Sequence, residues 1–215
     1  MVLAIMLVAI TGGIGSGKTY ITKVFEQLNI PVIYADQVAK ELIANNKNIR
    51  DQVTQYFNTL DLKQISTQIF KSQKKRLFLE KLIHQRALEK ISKQAMGFKT
   101  SNNYCVIEIP LLHNILNILD ALKVDQLILI DCDRNIQISR VMHRNRLSKF
   151  QVMSIIKSQL SSSFAIKKIH NLADYVLNGD DLKQLHIQAI TLCSLLNKKL
   201  NSTLKNTVIY RRGIS

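Results

Sequence analysis

The chain has 215 residues, 47% of them hydrophobic and 21% charged, which suits one compact domain with a buried core. No run reaches the roughly 18–20 uninterrupted apolar residues of a membrane span. The three cysteines, Cys105, Cys132 and Cys193, are odd in number and form no CxxC pair, which argues against a disulfide framework and points to the cytoplasm, with Cys105 and Cys132 as buried fillers.

The net charge of +15 suggests an anionic partner, whether nucleic acid, a membrane surface or a polyphosphate, or else reflects a composition rich in Lys, Asn and Ile. The basic residues are spread along the chain, densest at 71–76 and 198–199, so no dedicated nucleic-acid surface is expected.

Taken in order, the first apolar stretch, 5–11, reads as a strand. It lacks the basic start and cleavage site of a signal peptide and runs directly into glycines. A helix is expected over 18–28, closed by Asn29 and Pro31, then a short strand at 31–35. Amphipathic helices follow at 37–44, 49–57 and 71–94, with no convincing strand between 36 and 98. Apolar strands are expected at 104–109, 126–131 and 175–177, and helices at 135–145, 149–160 and 182–200. Strands without polar alternation, separated by helices, predict an α/β fold with a parallel sheet covered on both faces. The expected organisation is a single domain over 1–205, with a core of 1–35 and 99–205, a helical insertion over 36–98, a lid near 134–150 and a loose basic tail at 206–215.

The segment Gly12-Gly13-Ile14-Gly15-Ser16-Gly17-Lys18-Thr19 fulfils the phosphate-binding pattern G-x-x-x-x-G-K-[ST] between a predicted strand and a predicted helix. Glycines let the backbone curl so that its N–H groups face phosphate oxygens, and the helix N-terminus adds partial positive charge. Lys18 is suited to reach the β- and γ-phosphates, and the Thr19 hydroxyl to ligate Mg²⁺. A P-loop alone does not separate kinases from GTPases or motor ATPases. The absence of Asn-Lys-x-Asp and the short chain favour a small-molecule kinase.

Such an enzyme needs acids and cations around the phosphates. Asp36 follows the second strand, at the end of the sheet where ligands bind. It suits a base or metal carboxylate, and equally the N-cap of a helix beginning at Gln37. Glu108 ends the third predicted strand and suits the metal's ligand shell, or a salt-bridged structural role. Gln137, Arg140 and Arg144 share one helix face, with Arg146 nearby. The arginines could close on ATP, or form a solvated basic face. His143, His170 and His186 show no metal spacing, and His84 lies on the insertion's long helix.

These residues together resemble the dephospho-coenzyme A kinase family. The resemblance rests on Thr11-Gly12-Gly13-Ile14-Gly15-Ser16-Gly17-Lys18, Ala35-Asp36, Ile69-Phe70, Leu79-Glu80 with Ile83-His84, Ile109-Pro110-Leu111-Leu112, Gln137 with Arg140 and Arg144, Gln159, Ala173-Asp174 and Asn178-Gly179. It implies ATP-dependent phosphorylation of the ribose 3′-hydroxyl of dephospho-coenzyme A, with Mg²⁺, on a P-loop kinase core with a helical coenzyme-binding part and a lid. It further implies a catalytic set of Asp36, Lys18 and Arg140. ATP would be held by Gly13, Ile14, Gly15, Ser16, Gly17, Lys18, Thr19, Tyr20, Arg140, Arg144 and Asn178. The acceptor would meet Asp36, His84 and Leu111, and the metal Thr19 and Glu108.

The expected form is a cytoplasmic monomer without a specific nucleic-acid or membrane partner. The alternatives are a nucleoside or nucleoside-monophosphate kinase, or a nucleotide-dependent nucleic-acid-binding protein. The chain departs from the family pattern at Tyr34 for Asp, Gln85 for Pro, Asn114 for Glu and Leu62 for Arg. Tyr20 stands where a smaller residue is usual, and the chain is shorter near 58–60 and 176–179.

Overall fold

A computed structural model describes residues 5–98, 104–111, 115–159 and 163–212. Five parallel strands form one sheet in the order β2-β3-β1-β4-β5. They are β1 (Met6–Gly12), β2 (Val32–Tyr34), β3 (Tyr104–Glu108), β4 (Gln126–Asp131) and β5 (Tyr175–Asn178). The side chains of β1 alternate between two cores. Val8 and Ile10 join α1 (Lys18–Gln27) and α10 (Leu182–Arg212) in a cluster with Phe25, Leu185 and Leu192. Leu7 and Ala9 face the opposite cluster, with Ile91, Ile107, Leu129 and Ile169. A sheet covered on both faces explains why the strands read as unbroken apolar runs.

The central strands are also tied at their N-terminal ends. Asp125 accepts from the Leu7 N–H at 2.7 Å, and Asp174 from the Leu127 N–H at 2.8 Å.

Between β2 and β3 four helices pack on one another: α2 (Ala35–Asn45), α3 (Lys47–Phe57), α4 (Leu62–Lys71) and α5 (Gln73–Gly97). They bury a cluster of their own, with Ile43, Ile49, Val53, Phe57, Ile65 and Ile83, and the rings of Tyr56 and Phe78 stack at 3.8 Å. The expected helix at 71–94 is therefore two elements in part. Lys71 closes α4, and Ser72 caps α5 by accepting from the Lys75 N–H at 3.3 Å. α4 was not foreseen. Gln85, where the family pattern has proline, keeps the backbone N–H that a helix interior needs, so α5 runs 25 residues without a break.

Beyond β3 come α6 (Ile115–Ala121), α7 (Arg134–Asn145), α8 (Lys149–Gln159) and α9 (Ser163–Leu172), of which α6 and α9 were not foreseen. Asp133 caps α7 by accepting from the N–H groups of Asn135 and Ile136. α7 and α8 share a small core of Ile138, Val141, Val152 and Ile156.

α10 passes the expected end at Leu200 and continues to Arg212, so 206–212 is helical and not a loose tail. No Gly or Pro lies between Gly179 and Gly213 to end it. Leu112, part of the family pattern, and Asn114, a departure from it, lie outside the described residues. All three cysteines are buried and unpaired. Among the described residues no helix is long and apolar enough to cross a membrane.

Candidate active site

β1 ends in the P-loop at the C-terminal edge of the sheet, and Gly17 makes the turn into α1. Its φ of 111° lies in the left-handed region, which an L side chain adopts only with strain. Behind the loop, the turn between β5 and α10 approaches very closely. A Cβ on Gly179 would fall 2.1 Å from the Ser16 carbonyl oxygen, so only glycine fits there.

A groove of about 430 Å³ opens along this edge. The P-loop supplies Ile14, Gly15, Gly17, Lys18 and Thr19, and Tyr20 and Leu182 stand at one end. Asp36 from α2 and Glu108 from β3 line it, as do Arg140 and Arg144 from α7 and Gln159 from α8. Residues distant in sequence thus meet at the end of the sheet expected for ligand binding.

The Lys18 ammonium donates to the carbonyls of Gly12 at 2.8 Å and Gly13 at 2.9 Å. Burial pushes its pKa from an ordinary 10.5 to about 8, and Arg144 adds to the fall, whereas Glu108 and Asp36 oppose it. Glu108 moves the other way. Burial raises its pKa, against the pull of Lys18 and of hydrogen bonds from Thr22 and Thr19. The two hydroxyls hold the two carboxylate oxygens separately, Thr19 at 3.3 Å from Oε1 and Thr22 at 3.2 Å from Oε2. Tyr34 reaches this network through Thr22 at 3.4 Å, and burial raises its own pKa above the ordinary value of 10.0. The phenol therefore stays protonated near neutrality and cannot stand in for a carboxylate base.

A hydroxyl and two carboxylates beside a phosphate cradle are the hard oxygen donors that Mg²⁺ prefers. Among the described residues no cluster of three or more His, Cys, Asp or Glu could hold a metal by itself. A metal here would thus have to share phosphate oxygens with the protein.

Asp36 does not cap its helix. α2 begins one residue earlier, at Ala35, with Tyr34 in the capping position and no side-chain cap. Asp36 lies in the first turn, where the helix dipole favours an acid. Its carboxylate pairs with Lys40 at 3.0 Å, and both side chains are more than half exposed, at 55% and 57%.

The two arginines of α7 differ in their partners. Arg140 is pinned behind the loop, donating to the Gly15 carbonyl at 3.3 Å, the Gly179 carbonyl at 2.7 Å and the Asp180 carbonyl at 2.8 Å. Arg144 is exposed and bonded to Asn145 at 2.8 Å, free to swing toward an anion. Gln137 donates to the Cys132 carbonyl at 2.9 Å, and its carboxamide packs against Gly13.

Five expected ligand residues stand apart from the groove lining: Gly13 and Ser16 within the P-loop, and Asn178, Leu111 and His84. Asn178 exchanges hydrogen bonds with Gln188, its N–H donating at 2.9 Å and its carbonyl accepting at 3.1 Å, and its side chain accepts from the Asp180 N–H. It shapes the turn behind the P-loop. Leu111 is 6% exposed and belongs to the core with Ile115 of α6, turning away from the groove directly after Pro110, which lines it. His84 is half-buried on α5, outside the groove lining. Tyr20 does line the groove, and its ring meets His186 edge-on at 6.3 Å. Thr22 and Leu182 carry no signal in the sequence, and Pro110 and Gln159 none beyond the family pattern. Nothing local marks them, since each enters the site through packing.

The profile of the dephospho-CoA kinase family matches residues 6–184. The chain is similar to a dephospho-CoA kinase from Colwellia psychrerythraea, with 32% identity covering 92% of this chain and 97% of the relative. In fold it is similar to a dephospho-CoA kinase from Campylobacter jejuni, with TM-score 0.61 and 19% identity over 90% of this chain and 98% of the other. It is also similar to a shikimate kinase from Bacteroides thetaiotaomicron, with TM-score 0.54 and 16% identity over 90% of this chain and 99% of the other.

Proposed function

The chain belongs to the dephospho-CoA kinase family, and from that premise we propose that it transfers the γ-phosphoryl group of ATP to the ribose 3′-hydroxyl of dephospho-coenzyme A. The observation that supports this most is the meeting of Lys18, Thr19, Asp36, Glu108 and Arg144 in one groove. The acceptor oxygen forms a bond to the γ-phosphorus as the bond to the β–γ bridging oxygen breaks, so ADP leaves and coenzyme A is formed. Asp36 takes the hydroxyl proton. Lys18 leaves the loop carbonyls for the β- and γ-phosphates, and Arg144 swings in from α7 to balance charge on the moving group. Arg140 acts behind the loop, holding the cradle against the β5–α10 turn.

Thr19 and Glu108 would hold Mg²⁺, which when bound neutralises phosphate charge. For Glu108 to ligate, it must be ionised, and its Thr22 bond favours that state. The positive charge of the chain serves two polyphosphate substrates. We assign the protein to the cytoplasm as a monomer without a nucleic-acid partner.

The reading is tested by incubating pure protein with ATP, Mg²⁺ and separate acceptors while following ADP release. Dephospho-coenzyme A should be turned over with kcat/KM far above that of nucleosides, nucleoside monophosphates or shikimate. Preference for any of those others would overturn the assignment, and so would nucleic-acid binding that survives physiological salt without acceptor turnover.

A further inference from the structure

The peptide unit joining Gly13 to Ile14 is gripped on both sides. Its carbonyl accepts from the Lys18 ammonium at 2.9 Å, and its N–H donates to Gln159 Oε1 at 3.0 Å. The grips come from different parts of the molecule. Lys18 opens α1, directly after the loop, whereas Gln159 is the last residue of α8, 145 positions from Ile14. The Ile14 side chain extends the connection by packing on the Ile138, Val141, Val152 and Ile156 core between α7 and α8. Gln159 itself faces the groove that holds Asp36 and Glu108.

The two grips cannot persist equally through a reaction cycle. Phosphate draws the Lys18 ammonium away from the Gly13 carbonyl, which keeps a hydrogen bond from the Ser16 N–H at 3.2 Å, a hold from within the loop itself. Glycines flank it on the N-terminal side, so rotation of this peptide meets little steric resistance. Rotation would disturb the set of N–H groups on which anion binding depends. After nucleotide entry the hydrogen bond that still holds this peptide from outside the P-loop is the one from the Ile14 N–H to Gln159.

We propose that Gln159 is a positioning residue for phosphoryl transfer, fixing the Gly13–Ile14 peptide from the end of α8 so that order in the phosphate cradle and seating of α8 against the loop are one event. The proposal rests on the kinase reading of the groove. It adds a residue that acts through the backbone of the loop and not by touching the reacting atoms.

The test is amide hydrogen exchange at Ile14 in the nucleotide-free protein, followed by NMR, together with steady-state kinetics and melting temperature. Gln159→Met keeps the side chain's length and removes its acceptor. The Ile14 amide should then exchange about tenfold faster or more, the loss of one hydrogen bond, while the β1 amides of Ala9 and Ile10 keep their protection. kcat/KM for ATP should fall about tenfold with the melting temperature within about 2 °C of wild type. Gln159→Glu retains an acceptor of the same reach and should restore Ile14 protection.

Unchanged Ile14 exchange in Gln159→Met overturns the proposal, and so does faster exchange with unchanged kcat/KM for ATP. If Gln159→Met does not fold, an unprotected Ile14 amide in folded Gln159→Glu overturns it equally. The exchange measurement uses no substrate, so it is read separately from the acceptor panel. Wild-type protein that fails to phosphorylate dephospho-coenzyme A removes the kinase reading, whereas indifferent Ile14 exchange removes only the role of Gln159.

Discussion

One wall of the groove is built from the P-loop, α7, α8 and the β5–α10 turn, the other from α2 and the helices packed on it. The first is bound together by short, partly buried contacts between elements far apart in sequence. Arg140 joins three carbonyls, Gln159 holds the Ile14 amide, and Gly179 lies against Ser16. The second is held more loosely at the groove. Its acid, Asp36, is tied within its own helix, to an exposed Lys40, while α2 meets α5 through the buried Val38, Ile91 and Ala95 and through a Glu41–Lys90 pair at 2.6 Å, 37% and 33% exposed. Its hydrophobic cluster adjoins one core of the sheet through Leu42 and Ala87, which pack against both. The difference follows from the chemistry each wall serves. Phosphate charge is stabilised best by dipoles fixed in advance, whereas the acceptor wall can complete its geometry when the acceptor binds.

The comparison is broken most severely at Lys18. Lys18→Met should lower kcat by about 10²–10³-fold, the usual loss for one preorganised stabiliser of the transition state. The nucleotide-free protein should melt at or above the wild-type temperature near neutral pH, because a cation whose pKa burial has lowered to about 8 opposes folding while protonated. A variant with near-normal turnover would take the P-loop out of the mechanism.

On the opposite wall, Asp36→Asn should reduce turnover of dephospho-coenzyme A by about 10² or more, the range for removal of a general base. ADP affinity and melting temperature should stay nearly constant, since the carboxylate caps nothing and its partner is exposed. Retention of most activity would move the search for the base to Glu108.

The two arginines sharpen the contrast within the first wall. Arg140→Met removes hydrogen bonds from a charged donor to three carbonyls and should lower stability by about 2–3 kcal/mol, read by denaturant unfolding. Arg144→Met should leave stability within about 0.5 kcal/mol, as for an ordinary exposed site, and lower kcat/KM for ATP. The reverse pattern would mean that Arg140 is the phosphate clamp and Arg144 the structural tie.

The smallest effect is in pH dependence. Lys18 in the free enzyme loses its proton near pH 8, and bound phosphate favours the proton. ADP affinity should therefore decline as pH rises above about 8, approaching tenfold per pH unit for uptake of one proton. Stability carries the opposite sign. The folded-state pKa lies below the unfolded value of 10.5, so between about 8 and 10.5 the unfolded chain binds more protons and stability rises with pH through this group. Calorimetric titration of wild type beside Lys18→Met would show both trends in the first and neither in the second.

Much of this was determined by the sequence alone. Five apolar runs became the five strands, because a strand buried on both faces needs no partner to be recognised. The P-loop was legible because its function depends on contiguous residues: glycines for the curl, then Lys18 and Thr19 at the helix start. The acids at 36 and 108 could be placed by counting from strand ends.

Tertiary structure decided what depended on distant neighbours. α4 and α9, though amphipathic, run only 10 residues each and α6 only 7, and they take their place by packing against α5 or the sheet. Asp36 lost its capping role because the helix began at Ala35, two residues earlier than its apolar pattern required. Arg140 and Arg144 look alike in sequence, one turn apart, yet only Arg140 meets the carbonyls of Gly15, Gly179 and Asp180. Leu111 went to the core and Asn178 to the turn because each found nearer partners than a ligand. Gln159 reached Ile14 across 145 residues, a distance over which no local pattern operates and which only the closing of α8 on the P-loop could span.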